Sequence, residues 1–237
     1  MNKANGEIYL TVQTLGRLPY YLQYLYDARN RGETVVSAAA MAADMKLGDV
    51  LVRKDIALVS PGKGKPRSGF PVNELIECIE DCLGYNNTMD AVLVGVGSLG
   101  KALLGSGEFR KYGLNIVAAF DVDEDVIGRV FSGKQVFALD KIAPLCERLH
   151  VHIGIITVPA EFAQNVADLL AGCGVQALWN FAPVKLDVPE GMLVQNENLA
   201  ASLAILSQHL RERQRVCRTE CLTELAAEPL SHTEPLS

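Results

Sequence analysis

The sequence predicts an α/β chain in two parts: a small helical part ending in a basic loop, and a larger part built on a parallel sheet. Three observations carry this. Up to Leu83 short helical stretches are separated by turn residues, whereas from Met89 onward apolar runs of strand length alternate with helical stretches. The run Ala91–Val94 passes without a gap into Gly95-Val96-Gly97-Ser98-Leu99-Gly100. Charge is also divided. Through Phe70 there are ten Lys and Arg against six Asp and Glu, and the remainder carries twelve against twenty-two. The overall net charge of −6 excludes a surface that coats nucleic acid everywhere. The split points to two domains with different partners.

Taken in order, residues 1–13 read as a weakly constrained arm. A helix opens at Leu18-Pro19, where the missing N–H costs little, and carries Leu18, Leu22, Leu25 and Tyr26 on one face as far as Arg31-Gly32. Thr34-Val35-Val36 is extended, and Ser37 caps a short Ala/Met helix ending near Asp44. After the turn Lys46-Leu47-Gly48 a third helix spans Asp49–Val59. The segment from Pro61 to Gly69 is too rich in Gly and Pro for helix and reads as a basic hairpin or loop. Asn73 caps a helix over Glu74–Leu83, and Gly84–Thr88 is a linker. Three short helices, helix–turn–helix spacing and a basic hairpin describe a winged-helix domain over residues 1–84.

In the second part, apolar runs at Ala91–Val94, Ile116–Phe120, Ile153–Thr157, Ala177–Trp179 and Leu193–Val194 are strands. Helices are expected from the glycine turn to about Lys111, over Asp140–Leu149 and over Ala160–Ala171. This alternation gives a parallel sheet covered on both faces, a Rossmann-type domain over residues 85–198. The last helix, Leu199–Arg213, repeats Leu199, Leu203, Leu206 and Leu210, and the polar remainder, residues 214–237, is expected to fray. No stretch approaches the ~20 apolar residues of a membrane span, so a cytoplasmic address is expected. The six cysteines form no CxxC pair, and although Cys78/Cys82 and Cys217/Cys221 stand four apart, no further ligands accompany them. Reduced thiols and no metal site are expected.

The glycine turn has the right context. It follows a buried-type strand, opens a helix, and is followed by Asp121 at the end of the next strand. Gly95 permits the tight turn, Gly97 lets a pyrophosphate approach the main chain, and Gly100 lets the helix pack on the strand. The phosphates face the unpaired N–H groups of the helix start. Asp121, followed by Val122, accepts hydrogen bonds from a ribose diol and repels a 2′-phosphate, which selects NAD(H) over NADP(H). The competing reading is a glycine-rich turn in a nucleotide-free domain. Thr157-Val158-Pro159 and Asn180-Phe181-Ala182-Pro183 end strands at the edge where ligands bind, with Phe181 offering an apolar face to a nicotinamide; alternatively they only terminate strands.

No catalytic residue is found. His150 and His152 flank the far end of a strand, His209 lies on the last helix and His232 in the tail, so binding without turnover is the simpler reading. In the first domain Ser37, Lys46, Arg53, Lys54, Lys63, Lys65 and Arg67 are candidate DNA contacts, with the Asp49–Val59 helix in the major groove and the basic wing on phosphates. The competing reading is a solvated helix face beside a basic loop. Asp55 is expected to orient Arg53 or cap a neighbouring group.

Several motifs in order resemble the Rex family of redox-sensing transcriptional repressors. They are Arg17-Leu18-Pro19-Tyr20-Tyr21, Val52-Arg53-Lys54-Asp55, the glycine turn, Val117-Ala118-Ala119-Phe120-Asp121-Val122-Asp123, Thr157-Val158-Pro159-Ala160-Glu161 and Asn180-Phe181-Ala182-Pro183-Val184. The resemblance covers about Leu15 to Leu210. It implies a homodimer that binds a pseudo-palindromic operator with NAD+ or no ligand and releases it with NADH. It also implies that the Leu199–Leu210 helix is a dimerisation helix exchanged between subunits, although such a helix could equally pack on its own domain. One departure stands out: many members follow the third helix with an aromatic segment of the type Ser-Tyr-Phe-Gly-x-Phe-Gly, whereas this chain has a more basic, less aromatic stretch through Arg67. Operator sequence and affinity therefore do not carry over. The rival readings are an NAD-dependent oxidoreductase, a CoA- or nucleotide-binding regulator, and a purely structural dimer without a ligand.

Overall fold

The computed structural model describes residues 10–60, 62, 69–87 and 89–227, the side chains at 199 and 216–227 excepted. These residues divide into two compact units, one drawn from residues up to Asp90 with Gly105–Ile116, the other from Ala91–Leu104 and Val117 onward.

In the first unit Thr11 caps helix α1 (Val12–Asn30), its hydroxyl accepting from the Thr14 amide at 3.1 Å. The helix thus starts well before the expected Leu18-Pro19, and Pro19 lies inside it. An interior proline forfeits one backbone bond and costs about 3 kcal/mol. Here the buried stripe Thr14, Leu18, Tyr21, Leu22, Leu25 and Ala28 runs through the break and offsets that cost. Strand β1 (Val35–Val36) leads to α2 (Ala38–Asp44), where the Ser37 hydroxyl accepts from the Ala40 amide at 3.0 Å as its cap. Lys46 takes a left-handed φ of 55° in the turn before α3 (Asp49–Val59). Strand β2 (Phe70–Pro71) pairs antiparallel with β1 and runs into α4 (Val72–Leu83).

Helix α4 begins one residue before the expected cap Asn73. Its first amide, on Val72, finds an acceptor in the Thr34 carbonyl at 3.0 Å, so no side-chain cap is needed. Gly69 (φ 75°) lies so close to the Val36 backbone that a Cβ would clash with the carbonyl oxygen. Helix α1 packs on α4 and α2 on α3, around Leu18, Tyr21, Leu25, Met41, Ile56, Leu75 and Ile79. Tyr26 donates to Glu80 at 2.6 Å across the α1–α4 contact. The expected wing cations Lys63, Lys65 and Arg67 lie outside the described residues.

The second unit carries β3 (Met89–Val94), α5 (Ser98–Gly105), β4 (Leu114–Asp121), β5 (Val130–Phe131), β6 (Lys134–Ala138), α6 (Ile142–Leu149), β7 (Ile153–Ile156), α7 (Ala160–Gly172), β8 (Ala177–Asn180), β9 (Leu193–Asn196) and α8 (Leu199–Ala227). The first residues of β3 and β4 cluster with the first unit. Among the described residues the sheet order is β5-β6-β4-β3-β7-β8-β9. Pairs β4–β6, β3–β7, β7–β8 and β8–β9 are parallel, and β5 joins β6 antiparallel. Without the β5 edge this is the doubly wound order 3-2-1-4-5-6, whose direction reverses between β3 and β7, the crevice where ligands bind in such sheets.

In the second unit two helix ends and one hairpin differ from expectation. Helix α5 stops at Gly105 rather than near Lys111, because Gly105-Ser106-Gly107 breaks it into a 3₁₀ turn over Gly107–Tyr112. The β5–β6 hairpin was not expected; Ser132 (φ 50°) and Gly133 (φ 78°) form its two-residue turn. Helix α8 continues past Arg213 to Ala227, so residues 214–227 of the expected frayed tail are helical. That stretch contains neither Gly nor Pro before Pro229, and good helix formers carry it on. The side chain of Asn198 accepts from the Ala201 amide at 2.9 Å at its start.

Candidate functional site

A cavity of about 590 Å³ opens at the C-terminal ends of β3, β4 and β7, on the reversal point of the sheet. The glycine turn forms its floor. Gly95 holds φ 101°, and a Cβ there would meet the Thr157 backbone at 2.8 Å. At Gly100 a Cβ would collide with the Gly95 carbonyl oxygen. Gly97 is different: nothing of the protein lies within 4 Å of where its Cβ would stand. That open space, beside the start of α5, fits the close approach of a diphosphate to the backbone.

Two side chains pin the turn to its neighbours. The Thr157 hydroxyl donates to the Gly95 carbonyl at 2.6 Å, and it also lies 3.0 Å from the Val94 carbonyl. Asp121 accepts from the Val96 amide through Oδ2, and from the Val122 and Asp123 amides at 2.7 and 3.0 Å through Oδ1. A carboxylate oxygen has about two acceptor positions, so Oδ1 is filled and Oδ2 keeps one for a ligand hydroxyl. A bound 2′-phosphate would meet this fixed negative charge. Lys101, Asp121 and Asp123 are the ionisable groups of the described wall.

The structure gathers Gly95, Val96, Gly97, Asp121, Val122, Thr157, Val158 and Pro159 around this cavity. Ser98, Leu99 and Gly100 belong to the first turn of α5 but do not line it. The Asn180 loop is not part of the wall either. Asn180 is fully buried; its amide nitrogen bonds the Val184 carbonyl and Asn196 at 2.9 Å, and its oxygen accepts from the Ala182 amide at 3.0 Å. Phe181 packs on Trp179 with ring centroids 4.8 Å apart. Ala182 and Pro183 line a separate hollow of about 210 Å³ with Lys185 and Asn196.

Lys101, directly after Gly100, and Phe162 and Asn165 on α7 also line the cavity, although no sequence motif marks them. They stand in the first two turns of the helices that flank the reversal point. Among the described residues no group of three or more His, Cys, Asp or Glu gathers in a metal-binding arrangement. Cys146 is buried and its thiol is pushed up to about 11, by burial first and then by neighbouring Cys173.

In the first unit, Arg53 and Lys54 project from α3 into solvent, as do Ser37 at the start of α2 and Lys46 in the intervening turn. Arg53 pairs with Asp49 one turn earlier, at 3.0 Å. Asp55 does not orient Arg53; it faces the opposite side of the helix and is 2% exposed. It accepts from Arg17 Nε at 2.7 Å, Arg17 Nη2 at 3.0 Å, Tyr21 at 2.8 Å and Thr14 at 3.3 Å, all from α1. Burial pushes the Asp55 carboxyl up, but the bonds from Arg17 and Tyr21 outweigh it and hold the group below the usual carboxylate range. Burial and the same carboxylate push Tyr21 up to about 12. Helix α3 is thus fastened to α1 by a bidentate ion pair whose carboxylate is buried and whose guanidinium is partly exposed.

A helix–turn–helix in one chain with a doubly wound domain that carries a dinucleotide-type turn defines a ligand-responsive DNA-binding protein. The family model described as "Putative DNA-binding protein N-terminus" matches residues 11–57, and the one described as "CoA binding domain" matches residues 86–184. The redox-sensing transcriptional repressor Rex of Bacteroides fragilis is 39% identical over 83% of this chain and 89% of its own length. The crystal structure of RSP in complex with β-NAD+ and operator DNA has a TM-score of 0.82 at 27% identity, covering 90% of this chain and 98% of that one. RSP in complex with β-NADH has a TM-score of 0.78 at 26% identity, covering 90% of this chain and 100% of that one. The chain belongs to the Rex family of redox-sensing transcriptional repressors, and it is not an enzyme.

Proposed function

We propose that the chain represses transcription according to the NADH/NAD+ ratio, holding operator DNA as a homodimer with NAD+ or no ligand and releasing it with NADH. The RSP complexes, one with NAD+ and operator DNA and one with NADH, support this reading. The observation on this chain that carries the ligand half is the Asp121 carboxylate, held by three backbone amides beside the open space at Gly97.

In this reading residues 1–84 bind DNA through Ser37, Lys46, Arg53, Lys54 and the wing cations Lys63, Lys65 and Arg67. Residues 85–198 bind NAD(H) on the glycine turn, Asp121, Val122 and Thr157 to Pro159. Asn180 to Pro183 support the sheet edge beside the site. Residues 199–213 form the core of the dimerisation helix, and the protein works in the cytoplasm.

The nicotinamide of NAD+ is planar and positively charged, and that of NADH is neither. The two forms are distinguished on the β7–α7 side, by Thr157, Pro159 and Phe162. The chain can respond only by the difference in affinity of its two dimer geometries for each form. By reciprocity, whatever factor NADH imposes on DNA affinity, DNA imposes on NADH affinity. The test is a titration at fixed salt of a duplex selected from a random library by the NAD+-saturated protein. NADH is expected to release the duplex, and unchanged DNA affinity at saturating NADH would sink the proposal.

The match to a CoA-binding model favours a second reading, in which CoA occupies the same cavity. Competition between NADH and CoA for the purified protein separates the two. Displacement of NADH by CoA at comparable concentration would favour the second.

A further inference from the structure

We propose that Lys101 is the cation that holds the adenosine diphosphate half of the dinucleotide, and that it sets affinity for the oxidised and reduced forms alike. The inference rests on the dinucleotide reading above and assigns a residue outside the glycine motif.

Lys101 follows Gly100 in the first turn of α5, where its amide bonds the Gly97 carbonyl at 2.9 Å. Its side chain lines the cavity and is the one cation among the described lining residues, against the carboxylates of Asp121 and Asp123. A diphosphate brings roughly two negative charges into this already acidic wall, and the amides of the α5 start answer only part of them. Among the described residues the Lys101 ammonium has no carboxylate partner. It lies 5.2 Å from the centre of the Phe131 ring. A ring face attracts the cation but leaves its N–H donors available for a harder acceptor.

Position decides which half of the ligand it serves. Phe131 is on β5, at the edge of the sheet that lies beyond β6 and β4. Lys101 is therefore drawn toward the side of Asp121, where the ribose diol of the adenosine sits in the proposed reading. The β7–α7 side, with Pro159 and Phe162, lies across the reversal point. Lys101 thus meets the part of the ligand that NAD+ and NADH share. It governs how much total dinucleotide is needed to fill the site, and leaves the ratio between the two forms to other residues.

The test compares the full-length protein with Lys101→Gln and Lys101→Arg, measuring dissociation constants for NADH, NAD+ and ADP-ribose at several salt concentrations. Lys101→Gln is expected to weaken all three by a common factor of about tenfold, the loss of one charge-assisted contact. It should also flatten the salt dependence, while Lys101→Arg restores most of the affinity. Lys101 is exposed, so thermal unfolding of both variants should match the parent. Unchanged affinity, or a loss confined to one redox form, would overturn the role of Lys101. If the unaltered protein binds none of the three, the dinucleotide reading itself falls.

Discussion

Gly97 and Gly95 stand two residues apart in the same turn and respond to opposite demands. Gly95 is required by the fold, because its φ of 101° and the Thr157 backbone leave no room for a Cβ. Gly97 has room and an ordinary backbone angle, so the fold tolerates alanine there. Gly97→Ala is therefore expected to leave the melting temperature within about a degree of the parent, while weakening NADH binding by about tenfold or more as the methyl fills the diphosphate space. Calorimetry of unfolding and of binding checks the two halves separately. Asp121→Asn removes the fixed charge and one of the two oxygens that accept backbone amides. It should narrow the preference for NADH over NADPH by about tenfold, measured as a ratio of dissociation constants. These roles were legible in the sequence because spacing alone places Gly95, Gly97 and Asp121. Lys101 was not, since a lysine on a helix is ordinarily a solvated one. Phe181 stands at the expected edge of the sheet, with its ring packed on Trp179 and outside the cavity wall.

Helix α3 shows the same contrast at the level of elements. Its limits, Asp49 to Val59, follow from the turn glycine before it and the apolar spacing of Val52, Ile56 and Val59. Its orientation does not, because Asp55 sits within that apolar stripe and looks like a charge on the exposed side. Only the fold brings Arg17, Tyr21 and Thr14 to it. Asp55→Ala strands a guanidinium and a phenol against the core, and should cost about 3 kcal/mol of stability. Operator binding should fall more than NADH binding, as mobility-shift and calorimetric titrations would reveal. The pH dependence has a definite sign. The folded Asp55 carboxyl is held below its ordinary value, so its contribution is complete above about pH 4 and is lost as pH falls further. Acid unfolding of the parent followed by circular dichroism should show this loss, and the Asp55→Ala variant should lack it. The α1 boundary was misread because proline more often opens a helix than interrupts one; the buried stripe on both sides of Pro19 overrides that preference. The β5–β6 hairpin escaped notice because its strands are short and partly polar around Ser132-Gly133.

At the scale of the molecule, each unit has its own apolar core, and α8 exposes Leu203, Ile205, Leu206 and Leu210. Leucines repeated on one helix and left in water are costly, at about 25 cal/mol per Å² of apolar surface. In the proposed homodimer this face is covered by the partner. Leu206→Glu is expected to shift the sedimentation coefficient from dimer to monomer and to abolish operator binding, since half-sites one helical turn apart require two linked reading helices. A dimer that persists with full DNA affinity would count against this use of α8. The sequence displayed the leucine repeat plainly, but the run of helix to Ala227 was hidden by a polar composition that suits an exposed helix as well as a coil.

The ties made by Thr157 and Asp121 have a kinetic consequence. Both fasten the glycine turn through hydrogen bonds that lie wholly within the protein. A binding site whose floor is held by the protein's own bonds does not depend on the ligand to order it. Its rate of capture is then set by diffusion and orientation, and tuning falls on the rate of departure. A sensor built this way follows a falling NADH concentration only as fast as it lets go of the last molecule. The lifetime of the complex therefore sets the memory of the switch.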